Sequence, residues 1–312
     1  MMSRVDSVMG RTTRSAMQAE LAALLVRGDL VLLLGAGVSS KVGLPDWEGL
    51  ANRVAARCGV GGDTSAHSAQ DLLSLSQIHC RDESPEPGNS SFLAHVRDAL
   101  YQDVRNADGY SDSLVVNRLL IAIGAMVMSS MRGSTTDVFT LNLDDVLDWY
   151  LHLHGFRTQV VTEMPTILHA DVDARIHHLH GFLPLQDTYV ASRWAVLTGD
   201  EYVRRLAESS SVGWPNLFLA SLQTKRVLVV GTSFSDPDIQ VLFQKTVGDS
   251  GRHCGYAMIV PSNDEEVNRL TSDRLDRAGL KRIEMLSYDD YPDFLLDVCR
   301  RAATARDGPA SA

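Results

Sequence analysis

The chain has 312 residues, of which 45% are apolar and 22% charged, ordinary values for a globular protein that buries a core. Its formal net charge of −10 argues against broad electrostatic binding to nucleic acid, which needs a surplus of Lys and Arg on one face. Its four cysteines, Cys58, Cys80, Cys254 and Cys299, are widely spaced without a CxxC pair. That spacing disfavours a zinc ribbon and a disulfide framework, so no metal is expected. The N-terminus lacks the apolar core of a signal peptide. The runs LVLLLGAGV and LLIAIGAMVM are too short or too interrupted by glycine to span a bilayer. The expectation is a soluble, cytoplasmic protein with no membrane contact.

In chain order, residues 1–15 read as a mobile polar arm and 16–27 as a helix. Residues 29–34 (DLVLLL) form a continuous apolar run ending at Gly35, the mark of a parallel strand buried on both faces. A helix follows over 46–58. Residues 59–112 change character and read as a small helical insertion, with a helix at 92–104 and a Pro/Gly/Ser loop at DESPEPGNSS. Residues 114–131 read as one apolar helix, 138–141 as a strand and 145–154 as a helix. Shorter strands are expected at 158–161, 175–180 and 189–190, and helices at 201–206 and 217–223. RVLVV (226–230) is a second fully apolar strand, followed by strands at 256–260 and 282–286 and a helix at 291–302. The tail from 304 to 312 reads as disordered. Strands alternating with helices predict an α/β fold, a Rossmann-like doubly wound, mostly parallel sheet, over 16–303.

The chemically conspicuous residues fall at strand ends, where open parallel sheets bind ligands. In LLLGAGVSS (32–40), Gly35 and Gly37 permit a tight turn and close backbone approach at the start of a helix, a geometry suited to a pyrophosphate. Ser40 replaces the third glycine of GxGxxG, so this is not the dehydrogenase fingerprint, and a ligand-free turn remains open. In TLNLDD (140–145), Asn142 and Asp144 alternate with apolar neighbours. Helix capping accounts for one Asp but not for Asn142. In RIHHLHGFLP (175–184), strand alternation puts His178 and His180 on one face and His177 on the other, a poor arrangement for one shared metal.

These motifs, in this order and with GTSFSD (231–236), resemble the sirtuin fold family over about residues 20–300. GAGVSSKVGLPDW is similar to that family's GAGxS…GIPDF segment, TLNLD to its TxNxD motif, and LHG (179–181) to its catalytic HG. FSDPDI and LTGDEY (197–202) look more like the family's bacterial antiviral-defence branch than its protein deacylases. The resemblance implies NAD as the substrate, with Gly35, Ala36 and Gly37 cradling the pyrophosphate and Ser39 and Asp46 nearby. Asn142 would orient a water or hydroxyl at the ribose, Asp144 would meet the nicotinamide carboxamide, and Gly231 and Ser233 would contact the adenosine side. His180 would be the general base, an imidazole titrating near working pH, with His177 and His178 bystanders.

Two departures matter. The family's Phe-Arg after Pro-Asp reads Trp47-Glu48 here, which removes a positive charge beside the cofactor. The four-cysteine zinc module that supports the acyl-lysine cleft of deacylases is absent. Hydrolysis needs only NAD and water, so the resemblance implies an NAD hydrolase that depletes NAD. The alternatives are a deacylase lacking the zinc module or a non-catalytic NAD or ADP-ribose sensor. A toxic activity without a recognisable sensor implies control by a homo-oligomer or a partner protein, by family analogy a prokaryotic Argonaute or a HerA-type ATPase.

Overall fold

The computed structural model describes residues 4–61, 67–83, 90–104, 109–128, 133–163, 166–201, 203, 214–234, 237–248 and 253–306. Seven strands form one sheet: β1 (Leu30–Leu34), β2 (Asp137–Thr140), β3 (Thr158–Val161), β4 (Ala174–His178), β5 (Arg226–Val230), β6 (Gly255–Ile259) and β7 (Leu280–Glu284). Their order is β3-β4-β2-β1-β5-β6-β7, and every pairing is parallel. The expected doubly wound α/β architecture is therefore present, with no antiparallel strand in this sheet.

The sheet is central because its strands are apolar on both faces. Leu30, Leu32 and Leu34 of β1 belong to one buried cluster, whereas Val31 and Leu33 belong to another. The first cluster packs under α1 (Arg4–Arg27), α2 (Trp47–Arg57), α3 (Ala69–Glu83), α4 (Ser90–Leu100), α5 (Tyr110–Val115), α6 (Arg118–Val127), α7 (Val146–Leu153) and the C-terminal helix. The second packs under α8 (Trp214–Thr224), α9 (Pro237–Val247) and α10 (Glu265–Arg277), and α11 (Tyr291–Arg306) completes the chain on the first side.

Several boundaries differ from the sequence reading. Helix α1 begins at Arg4 rather than at 16, so it runs through most of the segment expected to be an arm, and α11 continues to Arg306. The single helix expected over 114–131 is two helices. Asn117 breaks it, its side chain accepting the N–H groups of Leu119 (3.0 Å) and Leu120 (3.1 Å) as the N-cap of α6. The strand expected at 189–190 is a turn closed by Tyr189 N–H on the Gln186 carbonyl. Most of the helix expected at 201–206 and residues 307–312 lie outside the described residues.

Two glycine turns explain how the carboxyl edge is built. Gly37 N–H donates to the Gly231 carbonyl at 2.8 Å, and Gly35 N–H to that of Val230 at 3.0 Å. A Cβ on Gly35 would lie 2.6 Å from Thr232 Cβ, and one on Gly37 would lie 2.8 Å from the Gly231 oxygen. Gly231 itself has φ +73°. The turn after β1 and the turn after β5 are thus pressed backbone to backbone, and side chains at these positions would wedge them apart.

Candidate functional site

The strand order reverses between β1 and β5: connections from β1 lead towards β2, and those from β5 lead towards β6. Crevices of open α/β sheets lie outside the carboxyl ends at such a reversal. The paired glycine turns sit there, with the segments following β2 and β4 on the neighbouring strands.

The sequence motifs meet through hydrogen bonds. Asn142 Nδ2 donates to Ser39 Oγ at 3.0 Å, and Ser39 Oγ donates to Asp144 Oδ1 at 3.0 Å. One hydroxyl thereby links the turn after β1 to Asn142 and Asp144 of TLNLDD, across more than a hundred residues of sequence. Ser39 and Asp144 are buried, and Asn142 is half-buried. Asp144 Oδ1 also accepts the Val146 N–H at 3.1 Å, so it caps α7 from one residue outside, while Asp145 at the N-cap position makes no side-chain cap bond. Capping and placement are therefore done by the same carboxylate. The backbone N–H of Asn142 donates to Thr140 Oγ1 at 3.0 Å, which fixes how the chain leaves β2.

Burial raises the Asp144 carboxyl to about 6, against the opposing pull of the Ser39 and Val146 hydrogen bonds, and the neighbouring Asp145 adds to the rise. Asp145 is likewise raised, chiefly by burial. Its Oδ1 accepts from Tyr101 OH at 3.0 Å, and its Oδ2 accepts the Gln186 N–H at 2.8 Å. Asp144, Asp145 and Asp148 make three buried acids within one short segment.

The three histidines separate cleanly. His177 faces the second core layer, stacks on Phe139 (ring centroids 4.6 Å apart) and contacts Asp137 Oδ1 through Nε2 at 3.2 Å. His178 is buried on the other face. Its Nδ1 lies 3.1 Å from the Asn142 carbonyl and its Nε2 3.2 Å from Asp148 Oδ2. The Asn142 carbonyl only accepts, and a carboxylate at Asp148 does too, so the setting favours the protonated ring. Burial opposes that charge, but the Asp148 carboxylate and the Asn142 carbonyl outweigh it and raise the His178 pKa. His178, expected as a bystander, thus contacts the backbone of Asn142.

Strand β4 ends at His178, so the alternation expected to place His180 does not reach it. His180 sits in the turn beyond, buried to 8% exposure, and its carbonyl accepts the Val196 N–H at 2.8 Å. Gly181 follows with φ +98° and bridges Ala195, where a Cβ would stand 2.5 Å from the Trp194 carbonyl oxygen. Glycine is required at 181 because another backbone crosses there.

The remaining expected site residues are more peripheral. Ala36 is exposed on the first turn. Asp46 is exposed and caps α2, its Oδ1 accepting the Gly49 N–H at 2.8 Å. Ser233 is exposed beside Phe234, which holds φ +55°, a conformation rare for a bulky residue and a sign of a tightly constrained turn.

Residues 136–285 match the SIR2-like domain family. The match supports a sirtuin-like reading and contains Asn142, Asp144, His180, Gly231 and Ser233, but not the turn at 35–39. A solved structure described as a Sir2 homolog–NAD complex is similar over 92% of this chain and 94% of its own, with 13% identity and a TM-score of 0.46. No curated protein matches the chain.

Sequence reasoning missed the supports contributed by the helical insertion. Arg97 of α4 donates to the carbonyls of Pro184 (2.6 Å) and Leu185 (3.1 Å), just beyond Gly181. Tyr101 reaches Asp145, and Gln77 of α3 donates to the buried Glu201 at 2.7 Å. No local pattern announces these contacts. Asp148 was legible: an acid on the apolar face of VLDWYLHL asks for a buried partner. Among the described residues, the group with ligand atoms close enough to share a metal is not the histidine run but Cys58, Cys80 and His95.

Proposed function

We propose that the chain hydrolyses NAD, breaking the bond between nicotinamide and ribose to give nicotinamide, ADP-ribose and a proton. The observation that carries this reading is the Asn142–Ser39–Asp144 chain of hydrogen bonds at the sheet's carboxyl edge. The donor set fits the substrate. Cleavage builds positive charge on the ribose, and the buried acids Asp145 and Asp148 beside this chain of bonds are suited to favour that charge.

In this scheme Asn142, held at its carbonyl by His178 and at its amide by Ser39, orients the attacking water. His180 receives the water's proton as the new C–O bond forms and the C–N electron pair leaves with nicotinamide. Asp144, raised towards neutrality, faces the carboxamide. The glycine turns at 35–37 and 231 take the pyrophosphate and the adenosine side, with Asp46 and Ser233 at the rim. The wider role is NAD depletion in bacterial antiviral defence, controlled by self-assembly or by a partner such as an Argonaute or a HerA-type ATPase. It rests on the resemblance of LTGDEY and FSDPDI, of which Tyr202, Ser235 and Asp236 lie outside the described residues.

The deciding experiment incubates the full chain with NAD, with and without an acyl-lysine peptide, across protein concentrations monitored by light scattering. Free ADP-ribose without peptide is expected, rising with assembly. Peptide-dependent O-acyl-ADP-ribose would replace this reading with deacylation, and NAD binding without turnover in every assembly state would replace it with sensing. Asn142→Ala should lower kcat more than it raises KM, because its work is orientation.

A further inference from the structure

We infer that Cys58, Cys80 and His95 form a site for a thiophilic divalent cation, zinc by preference, that ties α2, α3 and α4 of the helical insertion together. Their ligand atoms all lie within 4.8 Å of one another, and Cys80 Sγ is 2.9 Å from Cys58 Sγ. The three residues come from three different helices, or the end of one, which pack on each other. Both cysteines are buried and His95 is half-buried.

The donor set selects the ion. Two thiolates and an imidazole suit zinc over magnesium or calcium, which take oxygen ligands. Two thiolates also cancel the charge of a divalent ion, so the buried cluster is electrically neutral when loaded, whereas an unpaired buried charge is costly. Cys58 is the C-cap residue of α2, and the carbonyl end of a helix favours a cation. A tetrahedral ion with Zn–S bonds of about 2.3 Å holds its sulfurs roughly 3.8 Å apart, so small side-chain rotations admit it. The fourth position falls on the more open His95 side, where water or an external ligand completes the coordination.

The consequence reaches the candidate site without depending on its chemistry. His95 lies two residues before Arg97 and six before Tyr101, which hold the carbonyls beyond Gly181 and the carboxylate of Asp145. A metal that fixes α4 against α2 and α3 fixes those contacts too.

The test uses the full chain, purified in a phosphine reductant, stripped with a chelator and titrated with Co²⁺ and then Zn²⁺. One ion per chain is expected, with a thiolate-to-cobalt charge-transfer band in the near ultraviolet that zinc abolishes. Removing even an outer-shell partner costs 10–100-fold in affinity, so His95→Ala, at a half-buried position, should lose more than about tenfold. Cys80→Ser, with one thiolate left, should weaken the charge-transfer band. No binding by the wild-type chain, or binding unchanged in His95→Ala, would each overturn the site. Because His95→Ala keeps both buried thiols, it decides the matter even where Cys80→Ser does not fold.

Discussion

Asp137 and Asp144 stand at opposite ends of the same strand and meet opposite fates. Asp137, at the start of β2, is ringed by two cations and an imidazole: Arg175 at 2.8 and 3.2 Å, Lys225 at 3.3 Å and His177 at 3.2 Å. Burial pushes its carboxyl up, but the His177 hydrogen bond and the charges of Arg175 and Lys225 drive it well below the usual carboxylate range. Asp144, beyond the end of the strand, is bonded among the described residues by a hydroxyl and a backbone N–H, and burial prevails. One end of the sheet holds its acid neutralised and structural. The other keeps buried acids short of compensating charge, the usual signature of a site that works on a ligand.

The sharpest way to break this contrast is at the carboxyl edge. His180→Ala should cut NAD turnover by about 10²–10⁴-fold, the usual cost of a lost general base. Circular dichroism and the melting transition should stay near wild type. Full turnover by the folded variant would remove His180 from the mechanism.

His178→Ala leaves buried Asp148 without its ring partner, and removing one partner of such a buried pair costs about 3–5 kcal/mol. Urea denaturation at neutral pH should show that loss, and Asn142 should lose its grip, so activity falls with stability. His178→Ala with wild-type stability and turnover would return this residue to the rank of bystander.

The two aspartates themselves give a test of opposite signs. Asp137 has a depressed folded pKa, so its stabilisation is present above the unfolded value of about 3.9 and is lost as pH falls further. Asp137→Asn should therefore destabilise the chain at pH 7, by about 1–3 kcal/mol for the charged hydrogen bonds weakened, and the gap should close in acid. Asp144 has a raised folded pKa of about 6. Its native state binds more protons than the unfolded state between about 3.9 and that value, so wild-type stability falls as pH rises through this window. Asp144→Asn keeps an acceptor for Ser39 and Val146 but cannot ionise. It should be more stable than wild type at pH 8, by on the order of 1–3 kcal/mol, and lose that advantage near pH 4. Melting curves at the two pH values read both variants. If both destabilise alike at pH 8, the two ends of β2 do not differ as argued.

Much of the architecture was legible from local pattern. LVLLL is apolar at every position and RVLVV at every position after Arg226, which only a strand covered on both faces tolerates, and they are β1 and β5 at the centre of the sheet. Several helix ends were legible to within a few residues, but the start of α1 and the break at Asn117 were not. The motif residues were legible as types, but their partners were not. The glycines at 35 and 37 read as room for a phosphate, whereas in the folded chain they also make room for the turn at 231–232.

By itself, then, the sequence determined the parallel α/β class, the strands of its centre and the places where polar residues interrupt apolar runs, because burial periodicity and turn chemistry are written in neighbouring residues. Only the tertiary structure decided that Ser39 joins Asn142 to Asp144, that His178 meets Asp148 and the Asn142 carbonyl, and that Cys58, Cys80 and His95 converge. Each of those facts depends on strand order and helix packing, which bring residues far apart in the chain within hydrogen-bonding reach. The pKa of a buried group depends on which of those distant neighbours carries a charge.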